Sequence, residues 1–131
     1  MKTIQLIILL GALLMAKELT NEEKRIIVNK GTEAPFSGKY NSFYEEGVYH
    51  CKQCGEQLFS SDTKFNSRSG WPSFDEALPN KVKQIPDADG SRVEIVCSKC
   101  DAHLGHVFEG EGFTKKNKRF CVNSTSLEFE E

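Results

Sequence analysis

Hydrophobic positions change rhythm several times along this 131-residue chain. The first stretch is an apolar run from Ile4 to Leu10, broken only by Gln5 and continued by Ala12, Leu13, Leu14 and Met15. Residues 19–30 then carry a helical pattern, with Thr20 as N-cap and Glu23 three positions on completing a capping box. Leu19, Ile26 and Ile27 form its apolar face, and Gly31 is placed to stop it. Residues 31–47 mix glycine and proline with Phe36, Tyr40, Phe43 and Tyr44, the composition of an ordered loop wrapped on a core. Segments 48–51 and 57–60 flank Cys54-Gly55 as a tight hairpin. Residues 62–79, rich in Gly, Pro, Ser and Asn, are an irregular loop pinned by Phe65, Trp71 and Phe74. Strict alternation over 92–97, with Val93, Ile95 and Cys97 on one face and Arg92, Glu94 and Val96 on the other, predicts a strand. Segments 103–108 and 119–122 are further strands, joined by a Gly- and Lys-rich turn.

The opening apolar run is shorter than the roughly 17–25 residues that span a bilayer and matches a signal-peptide core. Residues 1–16 are therefore expected to be an export signal, giving a periplasmic protein, or else an inner-membrane anchor; a buried N-terminal helix is the alternative. The remaining chain, 17–131, has the size and composition of one domain, with 38% hydrophobic and 27% charged residues overall. A chain with net charge −2 has no general attraction to nucleic acid or anionic lipid. A monomer is expected.

Five cysteines sharpen this picture. Cys51 and Cys54 form one C-x-x-C, and Cys97 and Cys100 a second. Paired knuckles of this kind present four thiolates to one tetrahedral zinc ion, and such a closed site is structural. Two disulfides are the alternative in an oxidising compartment.

Cys121 is left over. The cations at Lys115, Lys116, Lys118 and Arg119 favour its thiolate, which is the nucleophilic form; the plainer reading is a small buried apolar residue. His103 and His106 follow the second knuckle directly. A cysteine with fixed histidines has the minimum equipment for nucleophilic attack with proton delivery, while the histidines could instead be further metal ligands.

Gly70-Trp71-Pro72-Ser73-Phe74, the two knuckles, His103-Leu104-Gly105-His106-Val107-Phe108 and Arg119-Phe120-Cys121-Val122-Asn123-Ser124 stand in the order that resembles B-type methionine sulfoxide reductases. Gly31-Thr32-Glu33 and Pro35-Phe36-Ser37-Gly38 look like that family's N-terminal stretch. The resemblance covers residues 19–129. It implies a mainly β, tent-like fold of two small antiparallel sheets with a short N-terminal helix, and structural zinc at Cys51, Cys54, Cys97 and Cys100. The implied reaction reduces the R epimer of oxidised methionine in proteins and so repairs oxidative damage. In it Cys121 attacks the sulfoxide sulfur and is left as a sulfenic acid. Trp71 and Phe108 hold the substrate. His103, His106 and Asn123 orient water and protonate the sulfoxide oxygen, and Arg119 favours the thiolate.

One departure matters. Many members carry a resolving cysteine before Gly-Trp-Pro-Ser-Phe, where this chain has Ser69. Reduction of Cys121 is accordingly expected from an external thiol, thioredoxin-like or a periplasmic carrier. The rival functions are a non-catalytic zinc-ribbon module using the basic turn at 115–119 as a contact surface, and a peroxide-sensing thiol protein.

Overall fold

The computed structural model describes residues 18–131; residues 1–16, expected to be an export signal or anchor, lie outside the described residues. Among those described, no helix is long and apolar enough to cross a membrane.

The N-terminal helix forms where the capping box places it. Glu23 N–H donates to Thr20 Oγ1 at 3.1 Å and Thr20 N–H to Glu23 Oε1 at 2.8 Å, satisfying two donors that a helix start leaves open. The helix is shorter than its sequence pattern: α1 spans Asn21–Glu23 and widens into a π-helical segment, Lys24–Val28. It stops at Lys30, which turns left-handed (φ 60°), while Gly31 N–H returns to the Arg25 carbonyl at 2.9 Å. Ile26 and Ile27 are buried and Leu19 packs against the core, so this helix is a docking element.

Nine strands follow: β1 Val48–Cys51, β2 Gln57–Ser60, β3 Lys64–Phe65, β4 Ser73–Phe74, β5 Val82–Pro86, β6 Val93–Cys97, β7 His103–Glu109, β8 Lys118–Val122 and β9 Leu127–Glu130. They form two antiparallel sheets, a small one ordered β2-β1-β9 and a larger one ordered β3-β4-β8-β7-β6-β5. The mainly β, two-sheet fold with its short helix is therefore the observed one. Tyr49, Leu58, Phe59 and Leu127 of the small sheet meet Phe74, Ile95, Leu104, Phe120 and Val122 of the large one in a single core. Phe59 stacks on Phe74, with ring centroids 4.4 Å apart.

Three differences from the pattern have physical causes. The 62–79 segment is not wholly irregular, because β3 and β4 pair with each other and β4 pairs onto β8. β5 is an edge strand with mostly exposed side chains, so it carries little hydrophobic pattern. β6 is buried on both faces: Glu94, which alternation would send to solvent, is 3% exposed and held by His103 and Lys30.

Candidate active site

The β7–β8 pairing builds the site. His106 lies directly opposite Cys121, and Phe108 directly opposite Arg119. Opposed residues of an antiparallel pair share a face with Cβ atoms roughly 4.5–5.5 Å apart, and residues two apart on a strand share that face too. Cys121, His106, Phe108 and Arg119 are thus gathered by backbone register alone. They line a cavity of about 130 Å³ together with Thr32, Trp71, Arg92, Gly105, Val122 and Asn123.

Trp71 is brought in by the loop before β4. Pro72 accepts the Val122 N–H at 3.0 Å, and the indole Nε1 donates to the Glu33 carbonyl at 3.0 Å. Glu33 in turn gives its N–H to Asn123 Oδ1 at 3.0 Å, and Asn123 Nδ2 donates to the Leu104 carbonyl at 3.2 Å. The Asn123 amide is thereby locked. The Glu33 carboxylate, 5% exposed, accepts from Ser124 N, Thr125 N and Thr125 Oγ1.

Arg119 fixes the electrostatics beside the sulfur. Its Nε and Nη2 donate to Glu111 at 2.8 and 3.3 Å, and its guanidinium lies 4.7 Å from the centre of the Phe108 ring. Burial pushes the Cys121 thiol above its ordinary value, and Arg119 opposes that shift as a nearby charge and hydrogen-bond donor. The expected lysine cluster does not share this work. Lys116 pairs with Asp75 and Glu76, and Lys118 with Glu109.

The two histidines have different surroundings. In a regular strand, residues three apart point to opposite faces. A bulge opposite Ile95 and Val96 inserts an extra residue and brings the rings to 5.8 Å, edge to face. His106 Nε2 lies 3.2 Å from Asp87 Oδ2. His103 is buried, with Nδ1 2.7 Å from Glu94 Oε2 and Nε2 without a partner. Burial lowers its pKa against the pull of Glu94, which favours the neutral ring. His103 lines an adjacent cavity of about 510 Å³ with Asp87, Arg92, Glu94 and His106, and not the one around Cys121.

The knuckle cysteines converge on one another. Cys51 and Cys54 come from the β1–β2 hairpin, Cys97 and Cys100 from the β6–β7 turn, and the four sulfurs lie within 4.8 Å of one another. The Cys51–Cys100 and Cys54–Cys97 pairs are both 3.6 Å apart. A disulfide needs about 2.05 Å, whereas the edge of a tetrahedron with zinc–sulfur bonds of about 2.3 Å is roughly 3.8 Å. The donor set and its spacing fit a metal ion.

A sequence model of the SelR domain matches residues 19–131. Peptide methionine sulfoxide reductase B5 of Oryza sativa subsp. japonica is 54% identical over 112 residues, which cover 85% of this chain and 82% of that protein. The chain belongs to the B-type peptide methionine sulfoxide reductases. The B5 protein of Arabidopsis thaliana is 50% identical over 85% of this chain and 81% of its own length. The chloroplastic B3 protein of rice is 53% identical, and this chain spans about half of that longer protein, 49%. Among solved structures, the Mis18 "Yippee-like" domain superposes with a TM-score of 0.51 at 18% identity, covering 66% of this chain and 97% of that one. That likeness is one of fold.

Of the residues singled out from the sequence, Cys121, His106, Arg119, Asn123, Trp71 and Phe108 meet at one cavity; His103 sits beside it. Glu33, Asp87, Glu94 and Glu111 were missed as site-building residues. Glu33 lies in a motif already noted, but nothing in spacing ties an acid to a partner some 90 positions away.

Proposed function

We propose that this reductase acts on methionine-R-sulfoxide in proteins with Cys121 as nucleophile. The observation that carries this is the placement of Cys121 opposite His106 in a small cavity walled by Trp71, Phe108 and Arg119. The Cys121 thiolate attacks the sulfoxide sulfur, and the oxygen is protonated and passes to Cys121. Methionine leaves, reduced by two electrons, and Cys121 becomes a sulfenic acid, oxidised by two. His106 is the proton donor at the cavity and His103 supports it from the neighbouring one; imidazole is the side chain most often used for such proton transfer. The Trp71 ring receives the thioether methyl, a sulfur–aromatic contact worth roughly 0.3–1.5 kcal/mol.

The four-cysteine cluster holds zinc, as structural support. The reductant is a thioredoxin-like or other small thiol, because Ser69 stands where a resolving cysteine would be. Ser69 is part of a hydroxyl chain with Ser67 and Ser73, at 2.8 Å in each link. Trapped oxidised protein is expected to show no intramolecular disulfide to Cys121 by mass spectrometry, and finding one would refute external recycling. Residues 1–16 are proposed as an export leader or membrane anchor on their apolar pattern alone.

Turnover of separated R and S sulfoxide peptides tests the reading. Wild type is expected to reduce only the R epimer, and Cys121→Ser to lose that activity; equal residual activity in the variant would overturn it. The rival contact module draws little support, since Lys116, Lys118 and Arg119 of the basic turn are each paired with carboxylates.

A further inference from the structure

The β5–β6 hairpin reaches over to the His106 side of the active cavity, and no sequence motif singled it out. Its closing pair is Asp87 and Arg92: Asp87 N–H donates to the Arg92 carbonyl at 2.8 Å, and Arg92 Nε lies 3.4 Å from Asp87 Oδ2. That same carboxylate oxygen is 3.2 Å from His106 Nε2. The Asp87 side chain is 20% exposed and that of His106 14%, so the contact is only partly screened by water. Arg92 and His106 line both the Cys121 cavity and its neighbour, which places this contact at the wall between them.

Given the proposed reductase reading, on which this rests, we propose that Asp87 is a positioning residue that holds the His106 ring in the orientation from which it delivers a proton to the sulfoxide oxygen. A carboxylate bound to one ring nitrogen fixes the orientation of the imidazole and leaves the other nitrogen for the reacting group. The other charged or titratable groups around His106 are Arg92 on the hairpin, Glu94 on β6, His103 on β7, Arg119 and Cys121 on β8, and Lys30 beyond Glu94. Glu94 is taken by His103 and Lys30, and Glu111 pairs with Arg119. Asp87 is thus the carboxylate that serves His106.

The test is the separate measurement of kcat and KM for an R-sulfoxide peptide in wild type, Asp87→Asn, Asp87→Glu and Asp89→Ala. Asp89 caps the same hairpin through Ser91 N–H at 2.9 Å and does not touch His106, so its variant separates a loosened hairpin from a lost carboxylate. Asp87→Asn is expected to lower kcat by about ten-fold or more with KM little changed. Asp87→Glu should restore part of the lost kcat, and Asp89→Ala should leave both kcat and KM at the wild-type level. Wild-type kcat in Asp87→Asn, an equal loss in Asp89→Ala, or no rescue by Asp87→Glu would overturn the proposal. Absence of turnover in wild type would instead defeat the reductase reading itself.

Discussion

At the residue scale the site is a balance of two opposed effects on one sulfur. Burial of Cys121 disfavours the thiolate and Arg119 favours it. Burial is the larger effect, so the resting thiol is held up, and reactivity depends on the guanidinium keeping its place. Glu111 and the Phe108 ring hold it there. Replacing Arg119 with Met removes the cation while keeping a similar stem. The thiol should rise further, so the acid limb of Cys121 alkylation moves to higher pH. Iodoacetamide rates measured across pH 6 to 10 would show this, and an unchanged limb would mean that Arg119 acts only through packing. The residues that fix Trp71 and Asn123 work differently, through a closed set of hydrogen bonds running through Glu33. An unpaired buried group costs about 1–3 kcal/mol, which explains why an acid buried this deeply carries three donors.

At the element scale the decisive unit is the β6–β7–β8 ladder. Its bulge brings two histidines onto one side, and its register sets His106 against Cys121. Gly105 sits between the histidines because nothing larger fits: a Cβ there would meet the Cys121 carbonyl oxygen. Gly105→Ala should therefore push β7 away from β8 and cost about 1–3 kcal/mol, the usual range for overpacking. Urea unfolding would measure the stability, and a parallel assay should show activity falling more than the folded fraction does. Wild-type stability in this variant would show that the strands separate without strain. The ladder was legible in advance, because alternation over 92–97 and the short runs at 103–108 and 119–122 are strong strand patterns. β5 and β9 were not. Each is a short strand with exposed residues, and pairing with a neighbour makes it a strand.

At the scale of the whole molecule the four cysteines join the two sheets. One pair sits on the small sheet's hairpin and the other on the turn that leads into His103. A metal held there would tie both sheets together and anchor the start of β7, so its loss should be felt at the active cavity. Cys97→Ser is expected to purify with little zinc and to unfold at lower denaturant than wild type, since metal binding contributes directly to folding in small domains of this kind. Elemental analysis alongside denaturation would check it; full zinc content in the variant would remove the four-thiolate assignment.

What the sequence determined by itself is the set of chemical groups and the local segments that carry them. The knuckles, the capping box, Cys121 as the odd cysteine, and the ordered motifs all depend on short-range spacing, which a chain displays without folding. Tertiary structure decided which groups act on which. It sent Lys116 to Asp75 and Glu76, paired Lys118 with Glu109 across the strand, and left Arg119 beside Cys121. It turned His103 to Glu94 and His106 to the cavity, and it brought Glu33 and Asp87 in from other parts of the chain. Those outcomes rest on burial, strand register and a one-residue bulge, whose energies are set by contacts between segments far apart in sequence.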